Sequence, residues 1–250
     1  MDDVKNLVEQ LGSADLIKSF QARRALELAI ATAGAPGHDT DRAELSSRLV
    51  SELLAKSDSG DSQGQPRRMA EVRHQLARLV STIAGPTEVP ALAPALADFD
   101  VRESARFALD RMTDAAATKA LADAAATSVG QEFRVGVMSA LGRRDSPEST
   151  AALRAGAEDT DTEVRLAAAE ALAHSGVAET DLIIAAAAKG PGSARSRAQK
   201  RVARARIRLA ENVARNGNKD AARKIFQAVA ADAADDAQKQ AAERGLAQLG

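Results

Sequence analysis

One motif recurs along this chain and limits its fold more than any other feature: a large apolar residue, an arginine beside it, and apolar residues four, seven and eight positions further on. It reads Val164, Arg165, Ala168, Ala171, Leu172 in its clearest copy, and again Phe133, Arg134, Val137, Ala140, Leu141. Further copies are Val101, Arg102, Ala105, Ala108, Leu109; then Val72, Arg73, Leu76, Leu79, Val80; and Ala22, Arg23, Leu26, Ala29, Ile30. Those spacings place the apolar residues on one side of a helix, so each copy is an amphipathic helix with a single apolar stripe. From residue 72 onward the copies begin 29, 32 and 31 residues apart, which leaves room before each for one more helix and two short turns. The repeating unit is a helical hairpin, and such a hairpin cannot bury its stripe unless copies stack.

The first helices of the hairpins carry their own punctuation. Ser146 and Pro147 open ESTAALRAGAED as cap and first-turn residues, since the hydroxyl accepts from a free amide and proline has no amide to leave unpaired. Asp161 and Thr162 open the aligned helix that follows, and Gly176 closes it. The stretch DTDTEVRLAAAEAL resembles the HEAT-like repeat family, in particular the short repeats of the phycobilisome-lyase type, most fully between about residues 86 and 190. The resemblance implies an all-α, right-handed α-solenoid of about six stacked hairpins, with the second helix of each lining the concave side. It also implies that an aspartate before the second helix bonds the repeat arginine along the stack, a role for which Asp159 and Arg165 are suitably spaced. Elsewhere the pattern departs: Ser128 stands where the Phe133 copy needs the aspartate, and Asp98 lies too close to Arg102.

Read in order, Asp3 to Leu11 and Ala14 to Ala33 form the first hairpin, and a helix from Asp39 to about Lys56 follows. Residues 57–66, SDSGDSQGQP, are a polar run expected to form a flexible insert within a single solenoid spanning 1–250. Pro86, Pro90 and Pro94 predict a short or bent helix, because proline removes a helical hydrogen bond. Past the Val164 copy, the row Ala198, Val202, Ala205, Leu209 predicts one long helix from about Ser193 to Arg215. Residues 217–250 then give two capping helices with Ala222, Ile225, Phe226 and Val229 inward, and their Ala-Arg-x-x-Phe spacing weakly resembles a tetratricopeptide hairpin.

Little in the sequence points to chemistry. There is no cysteine, hence no disulfide, thiolate nucleophile or thiolate metal site. His38, His74 and His174 fall in different hairpins, with no pair spaced to ligate a metal from one helix face. Gly190-Pro191-Gly192 precedes a helix, yet lacks the further residues of a dinucleotide or phosphate loop, so a turn is the expectation. HEAT-like solenoids include DNA glycosylases and bilin lyases, but a chain with no Trp or Tyr offers no stacking residues for a base. No cofactor and no metal are therefore expected, and the protein reads as a non-enzymatic interaction or scaffold module, or as a non-catalytic repeat segment of a larger enzyme. The opening MDDVKNLVEQLG has none of the apolar core of a signal peptide, and the longest apolar run, Leu182 to Ala188, is too short to cross a bilayer. A cytoplasmic location without membrane contact is the default.

Two candidate surfaces follow. On each aligned helix, positions two, five, six and nine point away from the stripe, and in the central copies they bring up Phe107, Val135, Met138 and Leu166, rimmed by charged residues including Arg106 and Glu170. That patch is the expected site for an apolar segment of a partner protein or peptide. The second surface is a basic ridge, Arg197, Arg201, Arg204 and Arg208, which could hold nucleic acid or phosphate. Against the ridge stands the charge pattern: the net charge is −1, and Asp145 to Asp181 holds nine acids facing the eight bases of Lys189 to Arg208. Neighbouring hairpins of opposite sign could equally pair with each other.

Overall fold

The computed structural model describes residues 2–55, 65–188, 192–233 and 235–250. Among these there are fourteen α-helices and no strand. In chain order they are α1 (Asp2–Leu11), α2 (Leu16–Ala33), α3 (Asp39–Leu54), α4 (Gln65–Ile83), α5 (Val89–Ala95), α6 (Arg102–Arg111) and α7 (Ala115–Thr127). Then follow α8 (Gln131–Leu141), α9 (Pro147–Gly156), α10 (Thr162–Leu172), α11 (Asp181–Ala186), α12 (Gly192–Arg215), α13 (Lys219–Ala231) and α14 (Asp236–Gln248). The chain is thus an all-α repeat of helical hairpins, paired as seven where the sequence suggested about six.

It divides into two compact units, Met1–Leu121 and Ala122–Gly250, with the division falling inside α7. In the first unit the second helices α2, α4 and α6 pack in succession, and the first helices α1, α3 and α5 do the same. In the second unit α8, α10 and α12 are the successive second helices, and α12 packs in turn against both α13 and α14.

The stripe read from the sequence is the core. Every aligned apolar position from Val72 to Leu172 is buried, among them Phe133, Val137, Ala140 and Leu141 at 0% exposure. Ala198, Val202, Ala205 and Leu209 on α12, and Ala222, Ile225, Phe226 and Val229 on α13, are buried as their spacing predicts. In the first copy Ala22 and Leu26 are buried while Ala29 and Ile30 are half-exposed, because α2 has a neighbouring second helix on one side only within its unit.

Local signals set the boundaries. Asp161 caps α10 by accepting from the amides of Glu163 and Val164 at 2.8 and 3.2 Å, and Ser146 caps α9 by accepting from Ser149 at 3.1 Å. Gly176, a few residues past the end of α10, has φ of +64°, a conformation only glycine adopts cheaply. The three prolines shorten the third hairpin: a 3-10 turn spans Pro86–Glu88, and α5 is seven residues long with Pro94 near its end. Glu88 is buried there, its carboxylate accepting from the Gly85 amide at 2.7 Å and from the Thr87 hydroxyl at 3.0 Å. The insert expected at 57–66 lies outside the described residues up to 64, while Gln65 and Pro66 already belong to α4. Lys189 to Pro191, and with them most of the glycine-proline turn, also lie outside the described residues.

Adjacent hairpins are keyed together by polar bonds and by size. The Asp159 carboxylate takes the Arg134 guanidinium, the repeat arginine of the preceding hairpin, while Arg165 donates to the Asp159 and Thr160 carbonyls at 2.8 and 2.9 Å. The aspartate therefore does bridge along the stack, but the side chain it takes is that of Arg134; Arg165 reaches the loop through those two carbonyls and the Thr162 hydroxyl at 3.0 Å. Size complementarity is equally specific. A methyl group on Gly156 would meet Met138 Sδ at 2.5 Å and one on Gly142 would meet the Ala171 Cβ at 2.6 Å; within the last hairpin, one on Gly245 would collide with the Phe226 ring.

Candidate interaction faces

Of the residues marked out by the sequence as a partner site, Arg106 and Phe107 lie in the first unit and Val135, Met138, Leu166 and Glu170 in the second. The two groups have different fates. Met138 and Leu166 are core, 1% and 2% exposed, so neither can touch a partner. The reason is geometric: α10 lies between α8 and α12 and also packs on α9, and α8 packs against both α9 and α10, which widens the buried arc beyond the single stripe. Met138 in particular fills the hollow left by Gly156. Val135 is half-buried, and Glu170 is taken up by Arg201, which donates to it through Nε and Nη2 at 2.7 and 2.9 Å.

In the first unit the expectation fares differently. Phe107, on the side of α6 away from Ala105, Ala108 and Leu109, is half-buried, and its ring meets that of His74 on α4 with centroids 6.2 Å apart and tilted by 52°. His74 also lines a cleft of about 320 Å³ with Arg23 of α2 and with Glu71, Gln75, Arg78 and Leu79 of α4. Several of the polar groups around it have partners of their own. Arg106 pairs with Glu103 at 2.9 Å, Arg23 with Glu27 at 2.9 Å, and Gln75 donates to Glu71 at 3.2 Å. A surface built this way has an aromatic centre, small polar walls and both signs of charge, which suits an apolar anchor carried by a polar segment.

The basic ridge is not free. Arg201 joins α12 to α10, donating to Glu163 at 2.6 Å as well as to Glu170. Those carboxylates, Glu170 first, hold its pKa above the ordinary value despite partial burial. Arg208 donates to His174 Nε2 at 3.0 Å, while Arg197 and Arg204 stand exposed on the ridge. Two further bases of α12 also reach neighbouring elements. Buried Arg206, 6% exposed at its side chain, holds Asp181 with two bonds of 2.7 and 2.9 Å and Asp232 with one of 3.1 Å. Lys200 pairs with Asp235 at 3.0 Å. The opposed charge blocks of the sequence thus fasten α12 to its neighbours, and as a four-arginine binding ridge the reading is corrected.

No cluster of three metal-ligating side chains occurs among the described residues, and no helix among them is long and apolar enough to cross a membrane. His38 pairs with Asp41 at 2.8 Å, so the three histidines have three separate settings.

A family model described as HEAT repeats matches residues 130–203, which covers α8 to the first half of α12. No curated protein matches the chain. Similar solved structures include an engineered protein, 22% identical over 100% of this chain and 68% of that one, with a TM-score of 0.44. A second is the complex of CpcE and CpcF of phycocyanin lyase from Nostoc sp. PCC7120, 20% identical over 99% and 94% of the two chains, with a TM-score of 0.45. A third is human deoxyhypusine hydroxylase in complex with glycerol, 17% identical over 99% and 96%, with a TM-score of 0.39. At these TM-scores none of the three bears on what this chain does.

Proposed function

We propose that this HEAT-like repeat protein is a non-enzymatic interaction module that holds a peptide or helix of a partner protein against the second helices α4 and α6 of its first unit. The observation that carries the reading is Phe107, left half-exposed against His74 beside a cleft lined by side chains of both charges. The apolar anchor supplies the affinity, and the surrounding Glu71, Arg78 and Arg106 set the register of the bound segment.

The test is a random-peptide display selection on the purified protein, followed by affinity measurements on synthetic versions of the selected peptides. Peptides with an aromatic or aliphatic anchor flanked by polar residues are expected, and Phe107→Ser should weaken them by roughly tenfold or more, as for a central interface residue. The melting temperature should stay nearly unchanged, since the side chain is only half-buried. Selected peptides that bind the Phe107→Ser protein equally well overturn the reading, and turnover of a substrate by the purified protein overturns the non-enzymatic part of it.

A further inference from the structure

Among the described residues, four of the eight large apolar side chains that stand exposed lie on one helix, α2: Leu16 at 83%, Ile17 at 70%, Phe20 at 63% and Leu28 at 68%. With about 100° of rotation per residue, Leu16, Phe20, Arg24 and Leu28 form a row down the side of α2, with Ile17 next to it. Buried Ala22, Leu26 and Ala33 take the opposite side, where α2 meets α1, α3 and α4. This face is therefore a second apolar stripe with no covering element in its own unit. The outer side of α14 differs: Asp236, Lys239, Gln240, Glu243, Arg244 and Gln248 are exposed there, with Ala237 and Ala247 the only apolar residues among them. An apolar face of this extent on a folded protein marks an interface.

We propose that the outer face of α2 is a homodimer interface, packed antiparallel against α2 of a second copy across a two-fold axis near residue 22. The row is complementary to its own reverse. Antiparallel pairing sets Leu16 opposite Leu28 of the other copy and Phe20 opposite its Arg24, and the two-fold repeats both contacts. A guanidinium over an aromatic face is an attractive pair; this chain already uses one, with Arg102 4.6 Å from the centre of the Phe99 ring. In this register the two Gln21 side chains approach on one flank of the axis and the two Arg23 side chains on the other, and the pairs Arg23–Glu27 and Arg24–Glu27, at 2.9 and 3.2 Å, set a carboxylate beside those arginines as the polar rim of the apolar row. A head-to-tail arrangement would place this stripe on the polar side of α14, which does not match it. The face is distinct from the Phe107 and His74 surface and is used independently of it.

Sedimentation of the full chain over a concentration series reads the proposal directly. One helix face is smaller than the ~800 Å² per partner of a standard interface, so a monomer–dimer equilibrium in the range of about 1–100 μM is expected. The double variant Phe20→Ser, Leu28→Ser should raise the dissociation constant by about tenfold or more with an unchanged circular dichroism melt, because both side chains are exposed in the monomer. Orientation is read by cross-linking, which is clean because the chain has no cysteine. With a short bis-maleimide, Gln21→Cys near the axis should give covalent dimers, and Gln240→Cys on α14 should not. A chain that stays monomeric throughout the series, a dimer indifferent to the double variant, or cross-linking at residue 240 in place of 21 would each overturn it.

Discussion

The Nε2 of His174 faces the Arg208 guanidinium at 3.0 Å, and since arginine only donates, that nitrogen must accept and the ring must be neutral. Partial burial and then the arginine's charge hold its pKa below the ordinary 6.5. The unfolded chain therefore binds this proton more readily than the folded one, and stability falls as pH drops through 6.5 toward the folded value. Asp161 acts in the same direction at lower pH: the Gln131 amide and the Val164 and Glu163 backbone amides hold its pKa below 3.8, so its contribution is present above that value and lost as acid protonates it. The melting temperature should thus decline between about pH 7 and pH 5, and His174→Gln should flatten that decline while leaving the steeper loss in stronger acid. An unchanged slope in the variant would place the titration elsewhere. At this scale the sequence was legible where signals are local. Caps such as Ser146 and Asp161 declare themselves within three residues. The Arg201–Glu170 pair joins residues far apart in the chain, so only the opposed charge blocks hinted at it.

Among the elements, α12 carries most of the ties in its unit: to α10 through Arg201, to the start of α11 and the end of α13 through Arg206, and to the Ala173 carbonyl through Asn212 at 3.0 Å. Arg206 is the critical one because its charge is buried. Burial alone would lower its pKa, and the Asp181 and Asp232 carboxylates more than offset that. Removing Asp181 strands the guanidinium with only Asp232, which is 72% exposed. Asp181→Ala should cost about 3 kcal/mol in urea unfolding, the low end for a broken buried pair, and replacing both partners, as Arg206→Met with Asp181→Leu, should recover most of it. A double variant as unstable as the single one would mean that packing matters more than the charge. The extent of α12 was readable because its apolar row keeps one period from Ala198 to Leu209. The outer stripe of α2 was not, because Leu16, Phe20 and Leu28 were absorbed into a generally apolar helix; their phase, off the stripe of Ala22 and Leu26, was the available signal.

For the whole molecule, stability should accumulate hairpin by hairpin, each contributing its own helices and one interface. A chain ending at Arg215 loses α13 and α14 and uncovers the side of α12 they pack on, yet keeps the α8, α10 and α12 packing. It should lose the helical signal of the missing elements and melt lower while remaining folded; complete unfolding on truncation would show a single cooperative body instead. The recurrence of one motif made this architecture plain from the sequence, whereas the widening of the buried arc in the central hairpins, which took Met138 and Leu166 inside, depends on neighbours that no single helix reveals. The same contacts bear on interchangeability. Met138 occupies the hollow of Gly156 and Ala171 lies against Gly142, so the joint between these two hairpins is cut to one particular neighbour. Hairpins that share one motif are therefore not spare parts for each other: transposing or duplicating either of these two would set Met138 or Ala171 against a surface not shaped to receive it.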